Sequence, residues 1–289
     1  MLQTAGDRAL LPSERDVDLY RERGWHRSPL LIPDALFGTA LLGMERHFRG
    51  ERDWSLPTTS GFTDWKPGDG DGIRSAEVIA LRNRQLRELV SFPLLAATAA
   101  RLSGSPQIRY FADTLIFKPP EDPNAASVVG WHTDRAYWQT CTSEEMLTAW
   151  IPFHDCSEEM GPVIYVEGSH RWPGTDNMRT FRAQDLSQLK ALFPERPLVK
   201  RPMTLRRGEV SFHHSRLIHG SAPNRSDVPR IALALHFQPM ENRYRAHHND
   251  HGVPWHIFID DLARKLDDGT PDYTDPAVFP LLWPPDDSS

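Results

Sequence analysis

Apolar residues along the chain follow two regimes that meet near residue 106. Before that point they recur at helical spacing. Ser13 opens SERDVDLYRERG, in which Val17, Leu19 and Tyr20 are the apolar positions and Gly24 is the stop. DALFGTALLGMERHF, residues 34–48, predicts a second helix. Residues 84–102 predict a third, with Leu86, Leu89, Val90, Leu94, Leu95 and Ala99 on one side. Pro93 kinks it or divides it in two, because proline removes a backbone donor and its ring collides with the preceding turn. Residues 1–12 read as a loose leader. Residues 50–75, rich in Gly, Asp, Trp and Pro, read as a long loop.

After residue 106 short β-type runs take over, separated by Gly, Pro and Asn: IRYFADTLIFK, MLTAWIPFHD, GPVIYVEGS, PMTLRRGEVSFHH and RIALALHFQ. A helical start followed by many short strands predicts helices packed on a β-sandwich or barrel. The expected organisation is one domain over residues 1–289. It has N-terminal helices over 13–102, a β core over about 106–240 and a C-terminal extension over 241–289. Residues 181–202 form a polar, partly helical insert. The tail from 250, rich in Asp and Pro, is expected to wrap the surface.

Composition narrows the function classes. The chain has 289 residues, 39% of them hydrophobic, enough for a sizeable core. Its net charge of -6 lacks the basic footprint of a nucleic-acid binder. No apolar run of about 18 residues predicts a membrane span, and the N-terminus has no secretory pattern. Two cysteines, Cys141 and Cys156, make no disulfide framework, so a reduced, cytoplasmic setting is expected and both thiols are read as buried small hydrophobes.

The candidate chemistry starts at Trp131-His132-Thr133-Asp134. On a strand, residues i and i+2 share a face, so His132 and Asp134 can aim an imidazole and a carboxylate at one point. A distant third histidine completes a 2-His-1-carboxylate facial triad, which leaves positions on Fe(II) for a cosubstrate and O2. With 13 histidines in the chain, His-x-Asp alone is weak. The stretch RRGEVSFHHSRLIHGSAPNRSDVPRIALALHF adds His219 and, eleven positions on, Arg230. A barrel would place His219 at its rim, near the metal, and Arg230 deeper on the neighbouring strand. A guanidinium matches a carboxylate through two parallel hydrogen bonds, and 2-oxoglutarate carries such a carboxylate at its far end. The bland readings are that His213, His214 and His236 are core or surface histidines and Arg230 a surface ion pair. A zinc hydrolase also uses two His and one Asp, but the chain has no HExxH and no carboxylate stands out as a general base.

At these residues the chain resembles the phytanoyl-CoA dioxygenase family of Fe(II)/2-oxoglutarate oxygenases. The resemblance runs from about residue 106 to 240 and rests on ordered motifs. They are TLIFKPP, WHTD, LTAWIPFHDCSEEMGPVIYVEGSH (Glu167 stands where the family usually has Pro) and RRGEVSFHHSRLIHGSAPNRSDVPR. It implies a double-stranded β-helix, or jelly-roll, core with bracing helices. It implies Fe(II) on His132, Asp134 and His219. It further implies 2-oxoglutarate at Arg230 with help from Ser221, in a pocket lined by Trp150 and Thr114. Halogenases of the superfamily replace the Asp with Gly or Ala; Asp134 is kept here, which implies oxidation, by hydroxylation or a further step.

Substrate residues are less defined. Arg135, Tyr137 and Trp138, just past the metal motif, are expected to face the substrate, as are His213 and His214. Trp54, Phe62 and Trp65 are candidates for a lid or, equally, for a plain hydrophobic anchor. The polar and aromatic rim has no apolar stretch for a fatty-acyl tunnel, so the expected substrate is a small polar metabolite, with an acyl-CoA or a non-catalytic binding role as alternatives. The excess of acids weakly suits a cationic substrate. Nothing in the sequence sets the oligomeric state.

Overall fold

The computed structural model describes residues 5–57, 62–70, 72–122, 127–183 and 185–285. Helices come first: α1 (Ala5–Ala9), α2 (Glu14–Arg23), α3 (Asp34–Phe48), α4 (Arg84–Val90) and α5 (Pro93–Ser103). Ser13 caps α2 reciprocally: its Oγ accepts from Asp16 N while Asp16 Oδ2 accepts from Ser13 N at 2.8 Å. Gly24 ends it at φ 82°, the left-handed region open to glycine, and its N–H closes on Tyr20 O at 2.7 Å. Pro93 divides the third predicted helix: α4 stops at Val90, and proline occupies the first turn of α5, where its missing donor costs nothing. The leader expected over 1–12 contains the short helix α1.

Strands β1 (Trp25–Arg27), β2 (Arg74–Glu77), β3 (Ile108–Lys118), β4 (Val129–His132), β5 (Leu147–Pro152), β6 (Ile164–Val166), β7 (Lys200–Pro202), β8 (Ser211–His214), β9 (His219–Ser221), β10 (Arg230–Pro239) and β11 (Leu281–Trp283) form two sheets. The larger runs β1-β8-β5-β10-β3-β11, with β2 also on β3; the smaller runs β4-β9-β6-β7. The mainly antiparallel, two-sheet architecture is the expected jelly-roll core. Strand edges lie where hydrophobic patterning is weakest. β1 and β2 come from the segments read as helices and loop, β7 from the polar insert, which also holds α6 (Leu189–Leu192), and β11 from the tail.

Alternation along β10 sets the two faces of the large sheet. Leu233, Leu235 and Phe237 are fully buried in the core shared with Leu94, Leu95 and Ala99 of α5. Arg230, Ala234 and His236 face the other way, into a cavity between the sheets. Register carries this inner face across the sheet: His236 lies opposite Thr148 and Thr148 opposite His213, while Thr114 and Trp150 both lie opposite Ala234. The helical layer is tied down by Asp113, whose carboxylate accepts from Ile79 N, Ala80 N and the Tyr110 hydroxyl at 2.8–3.0 Å. Burial pushes its pKa up to about 6.

The tail does more than wrap the surface. Tyr273 and Phe279 are buried against Phe111, Tyr273 edge-on and Phe279 stacked, and α7 (Phe258–Leu262) adds to the cavity wall. No helix among the described residues is long and apolar enough to cross a membrane. Leu233 sits at the seam between sheet and helices, so Leu233→Ala is expected to destabilise the fold by about 2–5 kcal/mol, read as a lower midpoint in urea with the slope unchanged.

Candidate metal and cosubstrate site

His132 ends β4 and His219 opens β9, and the two residues are register partners in the small sheet. Asp134 is not on a strand, as the i, i+2 argument assumed: it opens a short 3-10 turn, Asp134–Ala136. Thr133 between them is still extended (φ -121°, ψ 144°), so both side chains reach the same point. The three candidate ligand atoms lie within 4.8 Å of one another, and all three residues are buried.

Hydrogen bonds prepare each of these groups. His132 Nδ1 is 2.8 Å from Gly130 O and His219 Nδ1 is 2.9 Å from Leu217 O. A carbonyl only accepts, so both Nδ1 atoms carry the proton and both Nε2 lone pairs are free for a metal. Burial, with the neighbouring imidazoles, pushes His132 down to about 3 and His219 down to about 4, so both are neutral at pH 7. Asp134 has one oxygen occupied. Oδ2 accepts from Thr148 Oγ1 at 2.6 Å and from His213 Nε2 at 3.1 Å, while Oδ1 faces His219 Nε2 at 3.6 Å. Burial alone would raise this carboxyl, but His219 and His213 beside it hold it well below the usual carboxylate range.

The supports are themselves supported. Thr148 Oγ1 has given its hydrogen to Asp134 and accepts from His236 Nδ1 at 2.8 Å. His213 Nδ1 accepts from the Tyr165 hydroxyl at 3.0 Å, and Tyr165 in turn meets Ser211 Oγ at 2.8 Å. His213, expected on the substrate side, borders the cavity but is bonded at both ring nitrogens; it orients Asp134. Its cross-strand neighbour Thr148 was missed, although it lies two residues before Trp150 and so on the same face of β5.

The cavity encloses about 640 Å³ and is lined by Thr114, Trp150, Ser221 and Arg230 as well as the triad. Arg230 is 2% exposed, stands over the Trp150 ring at 5.5 Å, and its Nε has no partner among the described residues. It opens β10 in the large sheet, facing β9 across the cavity, and not on a strand adjacent to β9 as expected. Facing sheets let a ligand span between Arg230 and the triad.

Of the expected substrate residues, Tyr137 and Trp138 line the cavity. Arg135 does not: it is 3% exposed and its guanidinium donates to the carbonyls of Trp138, Cys141 and Ser143, which holds the turn after Asp134. His214, also buried, turns away to stack near His170 at 5.3 Å. The loop over 50–75 anchors more than it covers. Trp54 packs on the Arg87 guanidinium at 3.8 Å and Trp65 on Phe48 at 5.7 Å. Phe62 meets Phe258 at 5.9 Å, and Thr63 reaches the cavity; residues 58–61 and 71 of that loop lie outside the described residues. The mouth adds Glu77, Arg179, Phe181, Arg182, Trp255 and Phe258, which no local motif flagged. Three arginines against Glu77, apart from Asp134, make the cavity lean cationic, contrary to the hint from the acidic whole-chain charge.

The family model for phytanoyl-CoA dioxygenase (PhyH) matches residues 54–232, more than half of the chain. The chain belongs to this family. The match covers β2 through the first residues of β10, and so includes every residue of the triad together with Arg230. The peroxisomal phytanoyl-CoA dioxygenase of Homo sapiens is 26% identical over 149 residues, 48% of this chain and 42% of that protein. A probable alpha-ketoglutarate-dependent hypophosphite dioxygenase of Stutzerimonas stutzeri is 30% identical over 135 residues, 44% of each chain. The chain thus aligns with less than half the length of these curated relatives. Among solved structures, the non-heme alpha ketoglutarate dependent epimerase SnoN from nogalamycin biosynthesis superposes with a TM-score of 0.70 at 25% identity over 98% of this chain and 99% of that one. SnoN has also been solved in complex with Fe3+, alpha ketoglutarate and nogalamycin RO.

Two outcomes follow from this network. Thr148→Val removes one of the two donors to Asp134 Oδ2 and is expected to weaken Fe(II) binding roughly 10–100-fold, measured by competition with a chelator. The second concerns pH. His132, His213, His214, His219 and His236 all have lowered pKa values from burial. The unfolded chain takes up their protons first, near pH 6.5. Their stabilising contribution is therefore complete above that pH and shrinks as pH falls toward the folded-state values. For a histidine that stays neutral in the fold, such as His214 at about 3, the loss by pH 5.5 is about 1.4 kcal/mol. The metal-free protein should show a Tm that falls steadily between pH 7 and pH 5.

Proposed function

We propose that the protein is an Fe(II)- and 2-oxoglutarate-dependent dioxygenase that uses O2 to oxidise a small polar metabolite. The observation that carries this reading is the pairing, in one cavity, of a triad with two open imidazole nitrogens and a buried Arg230 whose Nε has no partner among the described residues. A metal-binding protein without catalysis would need the first feature and not the second. Cosubstrate recognition accounts for both.

His132 and His219 would hold the metal through Nε2 and Asp134 through Oδ1. Iron held there, with 2-oxoglutarate and O2, supplies the oxidising chemistry, in which the cosubstrate leaves as succinate and CO2. The chain's own contribution is orientation and exclusion of water. Thr148 and His213 stop Asp134 from rotating. Arg230 and Ser221 receive the far carboxylate, and Thr114 and Trp150 form the walls around it. Tyr137, Trp138, Phe181, Trp255 and Phe258 surround the remaining space with apolar rings, which limits the water that would intercept a reactive centre. The helices, both sheets and the C-terminal segment act as a single domain, in a reducing compartment that leaves buried Cys141 and Cys156 as free thiols.

The substrate reading follows from the mouth of the cavity, where Thr63, Glu77, Arg179, Arg182 and His256 stand among the aromatic rings. Such a lining favours a hydroxylated or acidic molecule with some flat apolar surface over an acyl chain. The likeness to SnoN supports a place in natural-product biosynthesis.

Anaerobic addition of Fe(II) and 2-oxoglutarate should produce a weak visible charge-transfer band. His219→Ala and Asp134→Ala should each abolish it, along with succinate formation under air. Arg230→Leu removes charge-assisted hydrogen bonds of about 1.5–3 kcal/mol each and should weaken 2-oxoglutarate binding on the order of 10–100-fold while Fe(II) still binds. A wild-type protein that gives neither band nor succinate would refute the oxygenase reading.

A further inference from the structure

A lysine with no role in the reading above is buried beside the same cavity. Lys118 ends β3, is 0% exposed, and donates from Nζ to Ser221 Oγ at 2.6 Å and to Ala222 O at 2.7 Å. In the β3–β10 register it lies directly opposite Arg230, so both side chains stand on the inner face of the large sheet. Like charges in directly opposed positions repel, and here neither has water to screen it. No carboxylate among the described residues pairs with either group. Burial and the charge of Arg230 together push the Lys118 ammonium well below its ordinary range. A lysine and an arginine placed together inside a protein without an acid form a site that an anion completes, because a bound anion restores the lysine's preference for its charged form.

Lys118 does not line the cavity; Ser221 does, and Lys118 lies behind it. A serine oxygen that accepts from an ammonium keeps its own hydrogen to donate elsewhere, and the cavity is the direction left open to it. We propose that Lys118 is a positioning residue for the cosubstrate: it turns the Ser221 hydroxyl outward as a donor toward the far carboxylate that Arg230 receives. The inference rests on the oxygenase reading.

The test is binding, not turnover. Fe(II)-loaded protein is titrated anaerobically with 2-oxoglutarate and with 2-oxovalerate, which has a methyl group in place of the far carboxylate. Wild type should prefer 2-oxoglutarate strongly. Lys118→Met should weaken 2-oxoglutarate by about tenfold and leave 2-oxovalerate and Fe(II) affinity within twofold of wild type. Adding Lys118→Met to Ser221→Ala should cost little beyond Ser221→Ala alone, because the lysine acts through the hydroxyl. In turnover the loss should fall on KM for 2-oxoglutarate with kcat kept. A folded Lys118→Met protein that binds 2-oxoglutarate as tightly as wild type overturns the inference. So does full 2-oxoglutarate affinity in Ser221→Ala, an arm that holds even when the lysine variant does not fold. Wild type that binds neither acid sinks the oxygenase reading itself, a result distinct from tight wild-type binding matched by the variant.

Discussion

The metal end of the cavity depends on where one carboxylate oxygen points. Asp134 sits in a turn, off the strands, and a free carboxylate there would rotate and offer either oxygen. Thr148 and His213 remove that freedom by occupying Oδ2 from the large sheet, so that Oδ1 is left facing the histidines of the small sheet. The carboxylate is thus held by one sheet and serves a site whose other two members belong to the opposite one. Any relative shift of the sheets would break this arrangement, which explains why so much buried hydrogen bonding converges on it. Thr148 is backed by His236, and His213 by Tyr165 and Ser211.

The other end of the cavity follows a different logic. Arg230 and Lys118 face each other on adjacent strands, buried and, among the described residues, with no acid paired to either. In a structural role such a pair would be expensive, since buried charges are ordinarily neutralised within the fold. Placed at the edge of a cavity that also presents the triad, the pair is where the proposed cosubstrate's far carboxylate would find its partner.

Several features were readable along the chain because they are local. The apolar spacing of residues 34–48, the proline break at 93 and the alternation in β3 and β10 each express a short-range constraint, and the structure reproduces them. His132, Asp134, His219 and Arg230 were readable because each sits in a distinctive short pattern. Other parts were not. β1, β7 and β11 are three residues each, too short for a period-2 pattern to register, and they are strands only because a neighbouring strand offers hydrogen bonds. Arg135 looked like a substrate contact from its position after Asp134, but the turn directs its guanidinium to three backbone carbonyls. Trp255 and Phe258 come from a tail whose composition suggested only surface.

By itself, the sequence determined the candidate ligand side chains, the succession of helices and then strands, and the presence of an arginine eleven positions after the distal histidine. Those are matters of residue type and spacing. Tertiary structure decided which carboxylate oxygen is free, which histidine orients Asp134 and which two offer an open Nε2, and that Lys118 stands behind Ser221 opposite Arg230. These depend on register between strands far apart in the chain and on the approach of two sheets, and no local pattern encodes a register that exists only once both partners have folded.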